Sequence, residues 1–348
     1  MYSFINDYSE GAYPGIIAKL AATNMEQTVG YGFDKHCKQA RKLIQEACHN
    51  KNIDVHFLVG GTQTNLTFIS AVLRPHEGVY GVVTSHINSH EAGAIERTGH
   101  KVIPIPAEAG KLTAAALKEA YESYKNDPNR PHWAKPKMVY ISQPTELGTL
   151  YTKKELTALW AYCKKEHLYF YIDGARLGYA LATPKNDVTL VDLPKLCDAF
   201  YIGGTKCGAL LGEALVLVNK ELKADFFTIM KQAGAVMAKG RVVGIQFEVL
   251  FTDNTYEKIC ANGITLAQKL AKVLKAKDCK FLAKPETNQL FPILPNVVYN
   301  KLSKIFLLDL CGPVDKTHTA VRICTSWDTD STAVDKLIAQ LETFKTLK

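Results

Sequence analysis

The sequence has no long apolar run, since no segment approaches the roughly 18 consecutive apolar residues that a membrane-spanning helix needs. Its first residues, MYSFINDYSEGAYPG, have neither the basic start nor the apolar stretch of a secretory signal peptide. These two absences predict a soluble protein of the cytoplasm that has no membrane partner.

Paired cysteines are also missing. The nine cysteines are odd in number and form neither a Cys-x-x-Cys pair nor another spacing that would suit a metal. Scattered thiols of this kind are typical of reduced core residues in an intracellular protein. We therefore expect no disulfide framework and no metal site.

Dense basic clusters are absent, although the formal net charge is +8. The lysines are spread along predicted helices, as at 35–42 and 269–280, without aromatic residues clustered among them. A surface that binds nucleic acid usually carries a dense basic stripe, so we expect attraction of small anions and no nucleic-acid partner. The chain also lacks internal repeats and the G-x-x-x-x-G-K-[ST] order of a nucleotide-binding loop.

What the sequence does contain is an alternation of short apolar runs with helical patterns. Helices are predicted near 62–74, 88–98, 112–125 and 153–166. The strands predicted between and after them are 55–59, 79–83, 101–105, 138–142, 168–173, 199–202 and 214–218. Strand and helix alternation predicts an α/β core with a mostly parallel sheet.

The pattern changes after Gly234, where two longer helices, near 240–253 and 255–276, precede a few short strands and a closing helix. This change predicts a smaller α+β domain in the C-terminal part of the chain. The predicted division is an N-terminal arm at 1–15, a large domain at 16–245 and a small domain at 246–348.

Ligands of an open α/β sheet bind beyond the carboxyl ends of its strands, so polar residues at strand ends are candidate site residues. The first such end is Val-Gly-Gly-Thr-Gln-Thr-Asn at 59–65, where glycines precede a predicted helix. Free N–H groups at a helix start, beside Gly61 and the Thr62 hydroxyl, would form a phosphate cradle. An ordinary strand–helix turn capped by a threonine is an equally good reading.

The second strand end is Ser-His-Ile-Asn-Ser-His-Glu at 85–91. His86 and His90 are four residues apart and Glu91 follows, but no third metal ligand is evident. A helix-capping or core histidine is a better reading than a metal site. The flat imidazole of His86 could also stack on a heteroaromatic ring.

The third strand end is Tyr-Phe-Tyr-Ile-Asp-Gly-Ala-Arg at 169–176. Asp173 closes an apolar strand, where a buried carboxylate is costly unless it meets a cation or hydrogen-bond donors. Arg176 is the obvious partner nearby. The alternatives here are a structural ion pair between these two residues and a functional carboxylate.

The fourth strand end is AFYIGGTKCGALLG at 199–212, a buried strand that stops at two glycines before Lys206. Burial lowers the pKa of a lysine and makes the neutral amine available as a nucleophile. A surface-loop lysine is the default alternative.

Taken together, the four strand ends supply a phosphate cradle, a ring stacker, a buried aspartate and a lysine that can form a Schiff base. These are the four parts that hold pyridoxal 5′-phosphate (PLP), because they meet its phosphate, ring face, pyridine nitrogen and aldehyde. Four separate structural explanations account for the same residues less well. The sequence therefore predicts PLP as the cofactor.

The order of His86, Asp-Gly-Ala-Arg at 173–176 and Thr-Lys-Cys-Gly at 205–208 resembles that of the threonine aldolase and aromatic amino acid β-eliminating lyase family. The resemblance extends over nearly the whole chain. It implies the PLP-dependent transferase-like fold, called fold type I, with residues 16–245 as the PLP-binding domain.

The resemblance also implies roles for individual residues. Lys206 would form the Schiff base, Asp173 would pair with the pyridine nitrogen and His86 would stack on the ring. The remaining cofactor-binding residues would be Gly61, Thr62, Arg176 and Thr205, with Lys239 or Arg241 reaching the phosphate from a neighbouring subunit. The substrate-binding residues would be Arg176, Arg322, Gln143 and Asn6.

The activity implied is that of an L-threonine or L-allo-threonine aldolase, which cleaves a 3-hydroxy amino acid to glycine and an aldehyde. The assembly implied is a homodimer or homotetramer with the active site at the subunit interface. The alternatives are β-elimination on another amino acid and a non-catalytic protein that binds phosphate or a nucleotide.

One position departs from the family pattern. Ser-Gln-Pro-Thr-Glu-Leu-Gly-Thr at 142–149 places Gln143 opposite a family histidine. Since glutamine cannot accept a proton, the base would be His86, a bound water or Glu146, or the preferred substrate would differ. On this interpretation Gln143→His should accelerate threonine cleavage.

Overall fold

The computed structural model of this protein describes residues 1–348. Its strands are β1 Tyr2–Ser3, β2 Asp54–Leu58, β3 Glu77–Val82, β4 Val102–Ile105, β5 Lys135–Ser142, β6 Tyr169–Asp173, β7 Ala199–Gly203, β8 Glu213–Leu217, β9 Lys280–Phe281, β10 Gln289–Leu290, β11 Pro292–Pro295, β12 Phe306–Leu307, β13 Asp309–Pro313 and β14 His318–Cys324.

The helices follow the same chain order. They are α1 Pro14–Ala22, α2 Lys35–Ala47, α3 Gly61–Val72, α4 His86–Ser89, α5 Ala94–Arg97, α6 Ala114–Asn126, α7 Lys153–Lys165, α8 Leu177–Ala182, α9 Leu193–Leu196, α10 Phe226–Gln232, α11 Arg241–Phe251, α12 Thr255–Ala276, α13 Asn296–Leu302 and α14 Ser331–Glu342. Short 3-10 turns lie at Arg130–His132, Lys220–Leu222 and Thr252–Asn254.

The main sheet has seven strands in the order β2-β8-β7-β6-β5-β3-β4. Only β8 runs antiparallel to its neighbours. β3, β7 and β8 are buried along their whole length because helices cover both faces of the sheet. The predicted α/β fold with a mostly parallel sheet is confirmed, and each of the seven predicted strands is present.

The topology brings distant parts of the chain to one edge of this sheet. Because β2, β3, β5, β6 and β7 run in the same direction, the residues that follow them lie at the same edge. The antiparallel β8 begins at that edge with Glu213. The four strand ends singled out in the sequence therefore converge.

A second sheet, ordered β10-β14-β11-β9 with β13 also paired to β14, lies in the C-terminal part of the chain. It packs with α12 and α14 around a separate core of 21 buried residues that also includes Phe4. The N-terminal strand β1 pairs with β12. The first turns of α12, with Tyr256 and Cys260, join the larger core instead. The domain boundary near 245 stays a prediction.

The predicted helix near 88–98 is the clearest departure. The structure has two short helices there, α4 and α5, separated by Ala92 and Gly93 at φ values of 50° and 72°. A left-handed backbone cannot continue a right-handed helix, so these two residues prevent α4 and α5 from forming one continuous helix. Sequence patterns also gave no sign of α10 or α13, which are only seven residues long each.

The cysteines are free thiols, and all of them are buried except Cys311 on β13. Burial raises the pKa of several of these thiols, including Cys163 and Cys197, which keeps them protonated. Among α1–α14, none combines the length and the hydropathy needed to cross a membrane.

Candidate active site

Two adjoining cavities open at the strand-end edge of the main sheet. The inner chamber has a volume of about 320 Å³ and is lined by residues 59–62 and by Asp173, Tyr201, Thr205 and Glu213 among others. The outer chamber, of about 690 Å³, reaches β13 and Arg322. Five residues line both chambers: Tyr8, His86, Glu146, Arg176 and Lys206. This shared wall is the junction between the chambers.

The start of α3 forms a cradle at one end of the inner chamber. Gly60 is the N-cap residue of α3 and has no side chain that could accept a hydrogen bond from the first N–H groups. The first helical hydrogen bond runs from the Thr64 N–H to the Gly60 carbonyl. The N–H groups of residues 61–63 therefore have no partner within the helix. A Cβ on residue 61 would lie 3.0 Å from Tyr201 Oη, so a side chain there would crowd the cradle. Its form suits a small anion.

Asp173 ends β6 and is 3% exposed. Its Oδ2 accepts hydrogen bonds from Tyr140 Oη at 2.5 Å and Asn65 Nδ2 at 3.1 Å, and its Oδ1 accepts from the Ala175 N–H at 2.9 Å. Burial and the neighbouring Asp173 carboxylate raise the pKa of Tyr140, which keeps that hydroxyl protonated as a donor.

Arg176 does not pair with Asp173, so the structural ion-pair reading of these two residues is wrong. Its Nε and Nη2 donate to Asp7 Oδ2 and Oδ1 at 2.7 and 3.0 Å, which is a two-point contact. Asn288 Nδ2 donates to the same carboxylate at 2.9 Å. Although burial alone would raise the pKa of Asp7, the Arg176 guanidinium holds it below its ordinary value.

Asn6, predicted to bind substrate, lines neither chamber. Its side chain accepts hydrogen bonds from the Tyr8 N–H and Ser9 Oγ, which closes a local turn. The turn instead directs Asp7 to Arg176 and places Tyr8 in the wall shared by both chambers. The N-terminal arm contributes to the site through these two neighbours of the predicted residue.

Lys206 follows β7 and lies between the cradle and the outer chamber. Its Nζ forms no hydrogen bond and no ion pair, and the ring of Tyr8 is 5.9 Å away. Burial and the Arg176 charge lower the pKa of Lys206, partly opposed by the carboxylates of Asp7 and Asp173. An unpaired amine with a lowered pKa has the properties of a nucleophile.

The loop that carries Lys206 is fixed by Glu213. This buried carboxylate accepts hydrogen bonds from the Gly204 N–H at 2.9 Å and from Thr205 Oγ1 at 3.0 Å. Burial raises the pKa of Glu213 to about 7. Thr205 also accepts from the Gly212 N–H, so its hydroxyl is used within the loop, although the residue lines the inner chamber as predicted.

His86 is the first residue of α4, and its ring is held in place by Glu91. Its Nδ1 lies 2.8 Å from Glu91 Oε1, which also accepts from Asn65 Nδ2 at 2.8 Å. Asn65 in turn donates to Asp173, so a buried polar network joins His86 to Asp173. The His90 ring lies 5.7 Å from the His86 ring. The Glu91 contact fixes the orientation of the His86 imidazole in the shared wall.

Arg322 lines the outer chamber only. Its Nη2 lies 2.8 Å from Asp309 Oδ2 and donates to the Ile5 carbonyl at 3.0 Å, whereas its buried Nε has no partner. Arg322 and Arg176 thus present two cationic groups to the same outer chamber. An anionic group of a ligand is expected to bind between them.

Gln143 is not a site residue, which corrects the prediction made from its sequence position. Its Nε2 donates to the Tyr151 carbonyl at 3.0 Å, and its Oε1 accepts from the Tyr151 N–H at 2.9 Å. The side chain is 1% exposed and lines neither chamber. The residue of this loop that does line both chambers is Glu146, three positions later.

Lys239 and Arg241 also lie outside both chambers of their own chain. The Arg241 guanidinium donates to the carbonyls of Thr23 and Glu26, whereas Lys239 is exposed. Their contact with the phosphate of a neighbouring subunit stays a prediction.

The residues of the inner chamber that the sequence analysis did not single out include Tyr8, Ser142, Tyr201 and Glu213. Three of them had a usable signal, because Ser142 ends β5, Tyr201 is near the end of β7 and Glu213 begins β8 at the same edge. Tyr8 gave none, since the path of the N-terminal arm depends on contacts distant in sequence.

Comparisons with known proteins show which proteins the chain is similar to. The family model for beta-eliminating lyase matches residues 7–297. Low specificity L-threonine aldolases from a Pseudomonas species and from Pseudomonas aeruginosa are 30% and 28% identical, over 97% and 96% of this chain and 96% and 95% of theirs. A structure of Leishmania major threonine aldolase matches with a TM-score of 0.95 at 44% identity, covering 99% of both chains.

Proposed function

Since the chain belongs to the beta-eliminating lyase family, we propose that it is a PLP-dependent carbon–carbon lyase that cleaves 3-hydroxy amino acids to glycine and an aldehyde. L-threonine and L-allo-threonine are the proposed substrates, because relatives over nearly the whole length are threonine aldolases by name. The observation that carries the proposal is Lys206, whose amine has no partner within the chain and lines a chamber with the cradle and Asp173.

The inner chamber fits PLP. The N–H groups at the start of α3 are open to an anion because residue 61 is glycine, and a side chain there would crowd the cradle. The buried Asp173 carboxylate and the unpaired Lys206 amine line the same chamber. When bound, PLP supplies an electron-withdrawing ring that weakens bonds at the substrate Cα. The cradle and Thr62 would hold the phosphate, Asp173 the ring nitrogen, and Lys206 the aldehyde carbon.

The chain's own residues would also orient the substrate. Arg176 has its Nε and Nη2 engaged by Asp7, which leaves Nη1 to face a ligand. Arg322 offers a second guanidinium from β14, so the two would hold the substrate carboxylate in the outer chamber. Fixing the carboxylate selects which bond at Cα lies perpendicular to the ring, and thereby which bond breaks.

We also propose a homodimer or homotetramer in the cytoplasm, with the active site at the subunit interface. The segment from Met25 to Phe33 supports assembly, because Met25, Val29 and Phe33 are 89%, 67% and 63% exposed. Apolar side chains exposed together in this way favour a second copy as the partner. The free thiols support a reducing compartment. Light scattering of the purified protein gives the subunit number.

The reaction is tested by following products from a panel of amino acids with and without added PLP. Glycine and an aldehyde released from threonine, with no product from alanine or 2-aminobutyrate, which lack a 3-hydroxyl group, is the expected result. Pyruvate and ammonia as the main products would identify a β-eliminating enzyme instead. No product of either kind, together with no visible absorbance on adding PLP, would contradict the proposed function.

A further inference from the structure

We propose that Glu146 is the catalytic residue that accepts the proton of the substrate's 3-hydroxyl group. This inference rests on the proposed function and adds to it the base that the reaction needs. Glu146 lies in the loop after β5. In the same loop, Gln143 occupies the position where the family resemblance places a histidine, but its side chain is hydrogen-bonded to the Tyr151 backbone.

The position of Glu146 is the first argument. It lies in the wall shared by both chambers, together with Lys206, His86 and Arg176. A substrate that joins a cofactor in the inner chamber and has its carboxylate in the outer chamber must place its Cα and Cβ at this junction. Glu146 is therefore beside the reacting part of the substrate.

The orientation of the carboxyl group is the second argument. Its Oε1 accepts hydrogen bonds from Ser142 Oγ at 2.6 Å and from the His86 N–H at 2.9 Å. Its Oε2 forms no hydrogen bond within the chain and is not enclosed by it. Two donors thus fix one oxygen and leave the other free to accept a proton. By contrast, Oε2 of the neighbouring Glu91 is enclosed and out of reach of a ligand.

Electrostatics favour the same role. Burial raises the pKa of Glu146, and the Asp173 carboxylate adds to the increase, while hydrogen bonds from Ser142 and His86 oppose it. A carboxylate whose pKa is raised accepts a proton more readily than an ordinary exposed one. The reaction therefore requires Glu146 to be ionised, and the rate should fall as the pH falls through its raised pKa.

The proton and electron movements balance without another reactant. The O–H bond of the 3-hydroxyl breaks, and its proton moves to Glu146 Oε2. The electrons of that bond form the C=O bond of the aldehyde as the Cα–Cβ bond breaks. The electron pair of the Cα–Cβ bond stays with the glycine fragment, which takes up one proton at Cα. Loss of the Glu146 proton to solvent restores the carboxylate.

His86 is the main rival. Its Nδ1 faces Glu91, so its Nε2 could also accept a proton from a group in the chamber. The flat ring is suited to stacking, however, and its orientation is already fixed by Glu91. The two residues can be separated by experiment because their substitutions remove different groups.

The test compares Glu146→Gln with wild type, both loaded with PLP. The amide oxygen can still accept the hydrogen bonds from Ser142 and His86, so the local fold should be kept. We expect kcat for threonine cleavage to fall by about 10² to 10⁴. The affinity for glycine, measured by the change in visible absorbance, should stay unchanged because glycine has no hydroxyl group. The acidic limb of the wild-type kcat profile should disappear in the variant.

Two further variants make the test decisive. Glu286→Gln changes a partly buried glutamate that binds the Leu150 N–H outside both chambers, and it should keep wild-type kcat. Glu146→Asp keeps a carboxylate and should recover part of the rate if the Gln variant is slow. Urea unfolding of each variant identifies any loss of fold.

The inference is overturned if Glu146→Gln keeps kcat within about threefold of wild type, well short of a lost general base. It is also overturned if His86→Phe alone abolishes the acidic limb, since the base would then be His86. Equal loss of glycine affinity and rate in Glu146→Gln would assign a structural role. If wild type itself binds PLP but releases no glycine from any 3-hydroxy amino acid, the proposed function fails first.

Discussion

Removing the negative charge of Asp7 should destabilise the protein strongly, because this carboxylate neutralises Arg176. Asp7 is fully buried, and the Arg176 side chain is 11% exposed. Asn at position 7 keeps the size of the side chain and one acceptor oxygen. It would leave the buried Arg176 guanidinium without a countercharge.

Breaking a buried ion pair on one side typically costs about 3 to 5 kcal/mol. That is a large share of the roughly 5 to 15 kcal/mol that stabilises a folded protein. Because the pKa of Asp7 is held below its ordinary value in the folded state, its contribution is present above the unfolded-state pKa. The contribution is lost as the pH falls through the folded-state pKa, so Asp7→Asn should weaken the acid sensitivity of unfolding.

The assay is urea unfolding of the PLP-free protein at one fixed protein concentration, followed by far-UV circular dichroism between pH 2 and pH 8, a range that extends below the ordinary aspartate pKa of 3.8. Asp335→Asn is the matched control, since Asp335 pairs with Lys269 at the surface. We expect the control to change the unfolding free energy by less than about 1 kcal/mol. A change of similar size in Asp7→Asn and the control would refute the reasoning.

Three further outcomes are expected. Gln143→His should lower the unfolding free energy by about 1 to 3 kcal/mol, because both hydrogen bonds to the Tyr151 backbone are lost; faster threonine cleavage in this variant would restore the sequence-based interpretation. Asp173→Asn should still bind PLP, measured by absorbance, but lose most of its turnover, and near-normal turnover would point to a purely structural carboxylate. Gly61→Ala should weaken PLP binding by about tenfold or more in titrations, which is 1.4 kcal/mol, since its Cβ would lie 3.0 Å from a side-chain oxygen; Gly11→Ala, with no atom within 4 Å, should bind PLP as wild type does.

The strand ends were the part of the site most accessible to sequence reasoning. Parallel strands share one carboxyl edge, so Gly61, His86, Asp173 and Lys206 could be brought together without knowledge of their contacts. The threonine aldolase and β-eliminating lyase resemblance is confirmed by the family match and by relatives that cover nearly the whole chain.

Contacts between distant segments could not be predicted in the same way. Asp7 and Arg176 are 169 positions apart, and their pairing depends on how the N-terminal arm crosses the site. Local spacing had suggested Asp173 as the partner of Arg176, but tertiary contacts supply a closer and better aligned carboxylate.

The loop after β5 was misjudged for a different reason. Alternation of side chains along a strand gives the direction of each residue only while the strand continues, and β5 ends at Ser142. Beyond it, a difference of three residues decides whether Gln143 or Glu146 faces the chamber. Comparison of sequence positions with the family pattern could not tell which of the two residues faces the chamber. The hydrogen bonds of the two side chains in the structure do.

The most direct test of the central claim is the site of covalent PLP attachment. Purified protein is incubated with PLP, reduced with borohydride, digested and mapped by mass spectrometry, with Lys206→Ala treated in parallel. The expected result is one dominant adduct on Lys206, accompanied by a visible absorption band that is absent from the variant. A dominant adduct on another lysine, or an equal band in Lys206→Ala, would contradict the assignment of this chamber as the PLP site.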